Sequence, residues 1–170
     1  MQWWDELAAR YPLIVLEGCD GTGKTTLAAA LARRHGYTVV HSERPAEQKD
    51  LAGHYRSALD LPGKVAHDRG FVSELVYGPL REGRSRLTGP QAAELAFALA
   101  DRGGLLVHLT GHPEALAARL RARDGYAPAL DRIGALVRAY RDVFGALAGA
   151  APIVTADTTA AVCAPAWATV

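Results

Sequence analysis

The stretch from Glu17 to Thr26, which reads EGCDGTGKTT, combines glycines, a lysine and hydroxyl side chains at close spacing. Its glycines allow the backbone to turn sharply and to point successive N–H groups at an anion. Lys24 adds a mobile positive charge, and the Thr25 hydroxyl can ligate magnesium. An apolar run precedes the stretch, and a segment rich in alanine and leucine follows it. This order of strand, loop and helix predicts a P-loop that binds nucleotide phosphates.

Asp68 and Arg69 form a second pair of residues whose side chains are suited to chemistry. They stand at the end of the predicted strand 64–68, which reads KVAHD, and open α/β sheets keep their functional groups at strand ends. Asp68 could order magnesium-bound water or accept a proton from an acceptor hydroxyl, and Arg69 could hold an acceptor phosphate. A structural ion pair is the alternative interpretation of the same two residues.

The elements that must position these residues alternate between short apolar strands and helices. Strands are predicted from residue 13 to the P-loop and at 37–41, 64–68, 105–109 and 152–155. Helices are predicted at 3–11, after the P-loop, and at 45–59, 71–77, 90–101, 113–123 and 130–147, with a loop at 78–86. Strands that alternate with helices indicate parallel pairing with both sheet faces covered. We therefore expect one α/β domain with a doubly wound, five-stranded parallel sheet.

Composition excludes several classes of protein. The chain has 170 residues, of which 49% are hydrophobic, and a formal charge of +1, which fits one globular domain. Near-neutral charge argues against binding duplex DNA mainly by phosphate neutralisation. Cys19 and Cys163 do not suggest a disulfide framework, and the six histidines do not fall at metal-ligand spacing. Because the start is polar and acidic and no apolar run could span a bilayer, we expect a cytoplasmic protein without membrane contact.

The P-loop stretch resembles the motif EGxDGxGKTT of thymidylate kinases almost without departure. A second stretch, 68–78, resembles the DRYxxSSxAYQ segment of that family and matches it at Asp68, Arg69, Ser73 and Tyr77. This sequence is most similar to the compact, phage-encoded members of the family.

Three shorter segments are also similar to thymidylate kinases. The spacing of Arg119 and Arg123 after Pro113-Glu114 is similar to the PExxLxRxxxR helix that leads into the lid. The run 131–133 resembles the DRxE segment that follows the lid, and Arg44 resembles the arginine of the REPGG loop. The resemblance thus extends over most of the chain from residue 13 to residue 140.

Residue chemistry and the resemblance together predict a single P-loop kinase domain over 1–170 that uses ATP and Mg²⁺, with an arginine-bearing lid at about 121–130. Cofactor binding is expected from Gly18, Asp20, Gly21, Thr22, Gly23, Lys24, Thr25, Thr26 and Arg119. Catalytic roles are expected for Lys24, Asp68, Arg69, Arg119 and Arg123. Magnesium binding is expected, partly through water, from Thr25 and Asp68. The predicted acceptor-binding residues are Asp20, Arg44, Arg69, Phe71, Ser73 and Tyr77.

The departures from the family motifs concern the acceptor site. Gly70, Glu74 and Gly78 replace the tyrosine, the second serine and the glutamine of the family segment, and no Gly-Gly pair follows Arg44-Pro45. Some thymidylate kinases carry a catalytic arginine in the P-loop at the position of Thr22. We therefore expect the lid arginines to supply that charge, although arginines at a helix end can also serve the helix dipole alone.

The leading hypothesis is an ATP- and Mg²⁺-dependent kinase of a deoxynucleoside monophosphate, dTMP or a related pyrimidine nucleotide. One alternative is a kinase that acts on a hydroxyl of a nucleoside, of a modified base in DNA or of another small metabolite, with Asp68 as general base. Only that alternative would involve nucleic acid. A further alternative is a nucleotide-binding regulatory module without turnover. The resemblance also suggests a homodimer.

Overall fold

Five parallel strands form one twisted sheet at the centre of the molecule. The computed structural model describes residues 2–42 and 49–160. In chain order the strands are β1 (Leu13–Glu17), β2 (Thr38–His41), β3 (Val65–Asp68), β4 (Gly104–Thr110) and β5 (Ile153–Asp157). Their order across the sheet is β2-β3-β1-β4-β5. The predicted α/β fold with a five-stranded parallel sheet is therefore confirmed.

Helices cover both faces of this sheet and enclose two apolar layers. The helices are α1 (Gln2–Arg10), α2 (Lys24–His35), α3 (Leu51–Leu59), α4 (Phe71–Glu82), α5 (Gly89–Asp101), α6 (Pro113–Asp124) and α7 (Leu130–Ala146). Residues of α1 and α2 pack with Ile14 and Leu16 of β1 on one face. The helices from α3 to α7 pack with Leu13 and Val15 on the other face. This alternation places β1 in the middle of the core, buried on both sides.

Strand register places the candidate chemistry at one edge of the sheet. Leu16 pairs with Asp68 on one side of β1, and Glu17 pairs with His108 on the other side. Because both strands run parallel, the P-loop and the Asp68-Arg69 pair leave the sheet side by side. Among the helices that the structure describes, none is long and apolar enough to cross a bilayer.

The largest difference from the predicted elements is the length of α4. The helix was predicted to end at Tyr77, but it continues through Pro79 to Glu82 and ends at Gly83, which has a φ of 73°. A proline inside a helix removes one backbone hydrogen bond and locally costs about 3 kcal/mol. The buried face of α4, which includes Phe71 and Val76, packs in the core and offsets this cost. The prediction of a loop over 78–86 was therefore wrong for its first half.

Other predicted boundaries agree with the structure to within one or two residues, apart from the start of α3. That helix begins at Leu51 rather than at residue 45, and the side chain of Asp50 caps it by accepting a hydrogen bond from Gly53 N at 2.9 Å. The predicted first turn, 45–48, lies outside the described residues. Thr88 caps α5 as predicted, in a capping box with Gln91.

Two histidines are buried in the sheet, His67 on β3 and His108 on β4, with exposed fractions of 2% and 4%. Burial lowers the pKa of His67 and the pKa of His108 to about 4. In the unfolded chain an ordinary histidine has a pKa of about 6.5. Between pH 6.5 and pH 4 the unfolded state therefore binds protons that the folded state does not bind.

We predict that the free energy of unfolding falls with decreasing pH in this window, by up to about 1.4 kcal/mol per pH unit for each of these histidines. Urea denaturation at several pH values should show a shallower decrease for His108→Gln than for the wild type. Ser57→Ala, an exposed change on α3 that removes no titrating group, is the control and should keep the wild-type slope. Equal slopes in all three proteins would contradict the prediction.

Candidate functional site

The loop between β1 and α2 has the backbone geometry of a phosphate-binding turn. Gly21 and Gly23 have φ angles of 86° and 85°, in the left-handed region that favours glycine. Gly23 directly precedes α2, and apart from Gly23 and its two chain neighbours no heavy atom of the described residues lies within 4 Å of the position that a β carbon would take there. The start of α2 therefore faces open space, and an anion can approach its free N–H groups and its positive dipole end.

Lys24, the first residue of α2, folds back over this loop. Its ammonium group donates hydrogen bonds to Gly18 O at 2.6 Å and to Cys19 O at 2.9 Å, and the side chain is only 5% exposed. Burial, followed by the positive charge of Arg69, lowers the pKa of Lys24. A phosphate anion in the adjoining cavity would favour the charged form of this lysine.

Thr25 and Asp68 bring together a hydroxyl and a carboxylate, as the sequence predicted for a magnesium site. Thr25 Oγ1 donates to Asp68 Oδ2 at 2.7 Å, and His41 Nδ1 lies 3.2 Å from the same carboxylate oxygen. Hard oxygen ligands, completed by water and substrate phosphates, are the ligands that Mg²⁺ prefers. The described part of the chain contains no cluster of three histidine, cysteine or acidic side chains that could hold another metal. These residues therefore fit a nucleotide-bound Mg²⁺.

Three cavities surround the loop, and we name each after its main wall. The P-loop cavity, about 310 Å³, is lined by Lys24, Thr25, His41, Asp68 and Arg123 among others. The α4 cavity, about 260 Å³, is lined by Tyr55, Gly70, Ser73, Glu74, Tyr77 and Arg81. Both cavities share the side chains of Asp20, Ser42 and Arg69. The α2 cavity, about 510 Å³, runs from the glycines of the loop along α2 to Trp4.

Arg69 stands where the P-loop cavity and the α4 cavity meet. It forms an ion pair with Asp20, and its guanidinium carbon lies 5.6 Å from the centre of the Tyr77 ring. Its φ is 78°, and within residues 2–42 and 49–160 it is the one non-glycine residue with a positive φ. Such a conformation is strained for an arginine and persists only where the surrounding structure holds it.

The carboxylate of Glu17 holds the backbone next to Arg69. Glu17 is fully buried, and its Oε1 accepts hydrogen bonds from Gly70 N at 2.8 Å and from Ser73 N at 3.1 Å. Its Oε2 accepts from the Ser73 hydroxyl at 2.6 Å, and that hydroxyl also contacts the Tyr140 hydroxyl at 2.9 Å. Burial raises the pKa of Glu17, and the hydrogen bonds from Ser73 and the charge of Lys24 oppose this rise.

Neither Glu17 nor Tyr140 was predicted as part of the site. The available signal for Glu17 was a charged residue at the end of an otherwise apolar strand, directly before the P-loop.

The two predicted lid arginines occupy different places. Arg119 donates to Gly21 O at 3.3 Å and to the side chain and carbonyl of Thr158 at 2.9 and 2.6 Å, and it lines the α2 cavity. Arg123 lines both the α2 cavity and the P-loop cavity, and its guanidinium pairs with Asp124 at 2.7 Å. Hydrogen bonding to that carboxylate raises the pKa of Arg123. Arg123 therefore lines the same cavity as Lys24 and Thr25, whereas Arg119 contacts the loop at Gly21 from the α2 cavity.

The predicted acceptor-binding residues are only partly brought together. Tyr77 lines the α4 cavity, and Ser73 does too, although its hydroxyl is engaged by Glu17. Phe71 is 1% exposed, and its ring packs in the core at 6.5 Å from that of Tyr55 rather than in this cavity. Phe71, a predicted acceptor-binding residue, therefore lies in the core. Arg44 lies outside the described residues.

A family comparison identifies the domain. The profile of the AAA domain family AAA_28 matches residues 13–158. The chain belongs to this AAA domain family. The match spans the P-loop, Asp68 and the arginines of α6, so the P-loop assignment is confirmed. No curated protein sequence matches the chain.

Solved structures show what this AAA domain is similar to. YorR protein from Bacillus subtilis, solved in complex with phosphorylated GDP, is 27% identical with a TM-score of 0.75, and the match covers 86% of this chain and 85% of YorR. Deoxyadenosine kinase from M. mycoides with bound dCTP is 14% identical with a TM-score of 0.56, over 85% and 89% of the two chains. A gluconokinase from Sinorhizobium meliloti 1021 is 18% identical with a TM-score of 0.50, over 86% and 83%. The fold of this AAA domain is therefore that of P-loop kinases.

We predict that Glu17→Ala lowers the free energy of unfolding by about 2–4 kcal/mol, because two buried N–H groups and the Ser73 hydroxyl lose their acceptor. Glu17→Gln keeps one carbonyl oxygen as an acceptor, so its free energy of unfolding should fall by less. Urea denaturation measures both effects. Glu94→Ala on the exposed side of α5 is the control and should change stability by less than about 0.5 kcal/mol. A Glu17→Ala protein as stable as the control would refute this role.

Proposed function

We propose that this protein is a thymidylate kinase-like phosphotransferase that transfers a phosphoryl group from ATP, with Mg²⁺, to a deoxynucleoside monophosphate, dTMP or a related pyrimidine nucleotide. The observation that carries this proposal is the contact between two cavities, one with P-loop and metal-binding groups and one without them, through Asp20, Ser42 and Arg69. Phosphoryl transfer needs two bound reactants in line, with cations around the transferring group.

The P-loop side has the groups that a donor nucleotide requires. The N–H groups of the loop and Lys24 would bind its phosphates, and Thr25 with Asp68 would hold Mg²⁺, partly through water. Bound Mg²⁺ would neutralise charge on the donor phosphates. The α2 cavity, with Arg119 at its wall, offers the space for the donor base. The ligands bound in the related structures, phosphorylated GDP in YorR and dCTP in deoxyadenosine kinase, support nucleotide binding on this fold.

The α4 side has the groups that an acceptor monophosphate requires. Arg69 reaches this cavity from the strand end and is suited to bind the acceptor phosphate. We keep Arg44 as a second predicted acceptor contact. The Thr22 side chain is buried and donates to Cys19 O at 2.8 Å, so Arg123 is the side chain that we assign to the developing charge. The lid at about 121–130 comprises the last turn of α6 and the link to α7.

Geometry favours a monophosphate over a hydroxyl acceptor. Asp68, the general base of the hydroxyl hypothesis, is 7% exposed, contacts Thr25 and His41, and lines the P-loop cavity rather than the α4 cavity. Arg69, in contrast, lines both. Deoxyadenosine kinase from M. mycoides, whose name describes a nucleoside substrate, is too distant in sequence to decide between the two acceptors. A cytoplasmic location and a homodimer, both expected from the sequence, remain proposals.

The decisive measurement is ADP release from ATP and Mg²⁺ in the presence of separate deoxynucleoside monophosphates, nucleosides and hydroxymethylated DNA. We expect turnover with one monophosphate, a loss of at least about a hundredfold in kcat for Lys24→Met, and a rise of about tenfold or more in acceptor KM for Arg69→Ala. Arg56→Ala, an exposed arginine on α3, is the matched control and should behave as the wild type.

Two other outcomes would overturn the proposed function. Turnover with a nucleoside or with hydroxymethylated DNA, but with no monophosphate, would establish the hydroxyl acceptor instead. ATP binding that is lost in Lys24→Met, without ADP release for any acceptor, would establish the regulatory module.

Asp68→Asn tests the metal site. We predict that this variant needs about ten to a hundred times more Mg²⁺ for half-maximal rate at fixed ATP, because it removes a carboxylate next to the metal-binding hydroxyl. Asp101→Asn, an exposed change at the end of α5, is the control. A Mg²⁺ dependence in Asp68→Asn that matches the control would exclude Asp68 from the metal site.

A further inference from the structure

One side of α4 carries three residues that face the same cavity. Glu74, Tyr77 and Arg81 are spaced three and four residues apart, so they form one stripe of the helix, and all three line the α4 cavity. The extension of α4 beyond Tyr77 is what brings Arg81 onto this stripe. The sequence alone had placed Arg81 in the predicted loop at 78–86.

Two guanidinium groups flank the ring of Tyr77. The guanidinium carbon of Arg81 lies 5.2 Å from the ring centre, and that of Arg69 lies 5.6 Å from it. The ring also packs edge-to-face against Tyr140, with centroids 6.2 Å apart and planes at 74°. The Tyr77 ring is therefore packed against α7, and the negative charge density of its face attracts both arginines.

The two arginines differ in their charge partners. Arg69 is paired with Asp20, and the other cavity carboxylate, Glu74, is paired with Arg86. Arg81 forms no ion pair within the residues that the structure describes, and its recorded contact there is the Tyr77 ring. Arg81 therefore contributes a positive charge to the α4 cavity that no carboxylate of the described chain cancels.

We propose that Arg81 is a specificity-determining residue that, together with Arg69 across Tyr77, binds the phosphate of the acceptor nucleotide. This inference rests on the proposed function, because it requires an acceptor that carries a phosphate. A phosphomonoester bears about −1.5 to −2 charges at neutral pH, and Arg69 is already partly neutralised by Asp20. A second guanidinium supplies the missing charge and further donors. The pair selects nucleoside monophosphates over the corresponding nucleosides.

A purely structural role for Arg81 makes a different prediction. If its guanidinium only covers the Tyr77 ring, removing it should change the free energy of unfolding slightly. It should also weaken the binding of a nucleoside and the binding of its monophosphate by the same factor. The readout is therefore the ratio of the dissociation constant of a nucleoside to that of its monophosphate. A change in the cavity that weakens the binding of both ligands by the same factor leaves this ratio unchanged.

Calorimetric titration of the full chain measures this ratio without turnover, with four deoxynucleoside monophosphates and their nucleosides as probes. The variants are Arg81→Gln, Arg81→Lys and the control Arg84→Gln, an exposed arginine that lines none of the three cavities. We expect Arg81→Gln to raise the dissociation constant of the preferred monophosphate about tenfold or more and that of its nucleoside by less than about twofold. Arg81→Lys keeps the charge without the planar guanidinium, so its dissociation constant for the monophosphate should lie between those of the wild type and Arg81→Gln. Thermal unfolding of each variant confirms that it is folded.

An unchanged ratio in Arg81→Gln overturns the inference, and so does a wild type that binds no monophosphate more tightly than its nucleoside. The proposed function is judged separately by ADP release. A ratio that depends on Arg81 without ADP release would support this site and refute the kinase. ADP release with a monophosphate and an unchanged ratio would support the kinase and refute this site.

Discussion

The buried carboxylate of Glu17 is the interaction on which the geometry of the candidate site depends. A carboxylate at the end of a fully buried strand is costly to remove from water, and it is tolerated because Gly70 and Ser73 donate hydrogen bonds to it. These bonds tie the start of α4 to the end of β1. The P-loop and the segment after β3 are thereby held in one fixed relation, although about fifty residues separate them.

The position of Arg69 follows from this attachment. Its left-handed backbone, which costs of order 1–2 kcal/mol for a residue with a β carbon, lies between the buried strand β3 and the anchored Gly70. The chain turns sharply there and directs the guanidinium to Asp20 at the junction of two cavities. Arg69 is thus strained at the point where two candidate substrate sites meet. This indicates that its backbone conformation lowers local stability but places the guanidinium charge at that junction.

Charge is distributed unevenly around the P-loop. Lys24 and Arg123 line the P-loop cavity, whereas Arg119 lines the α2 cavity and donates to Gly21 O and to Thr158. Arg119 and Arg123 lie four residues apart on one face of α6, so their different positions in the site result from the different residues around each of them. In the α4 cavity the Tyr77 ring, rather than a carboxylate, is the contact of the Arg81 guanidinium. A contact with an aromatic ring leaves the positive charge of an arginine in place, whereas an ion pair would neutralise it.

Local signals in the sequence determined the P-loop, the five strands, the parallel α/β architecture and the cap at Thr88, because each depends on neighbouring residues alone. The continuation of α4 past Pro79 depends on packing against distant helices, which outweighs the tendency of a proline to end a helix. Packing also decides the burial of Phe71, which its position just after a strand end did not predict. Only the sheet order β2-β3-β1-β4-β5 brought Glu17, Ser73 and Tyr140 together. The identities of the reactive side chains were thus set by the sequence, whereas their partners were decided by tertiary structure, since hydrogen bonds and ion pairs depend on distances that residue spacing does not encode.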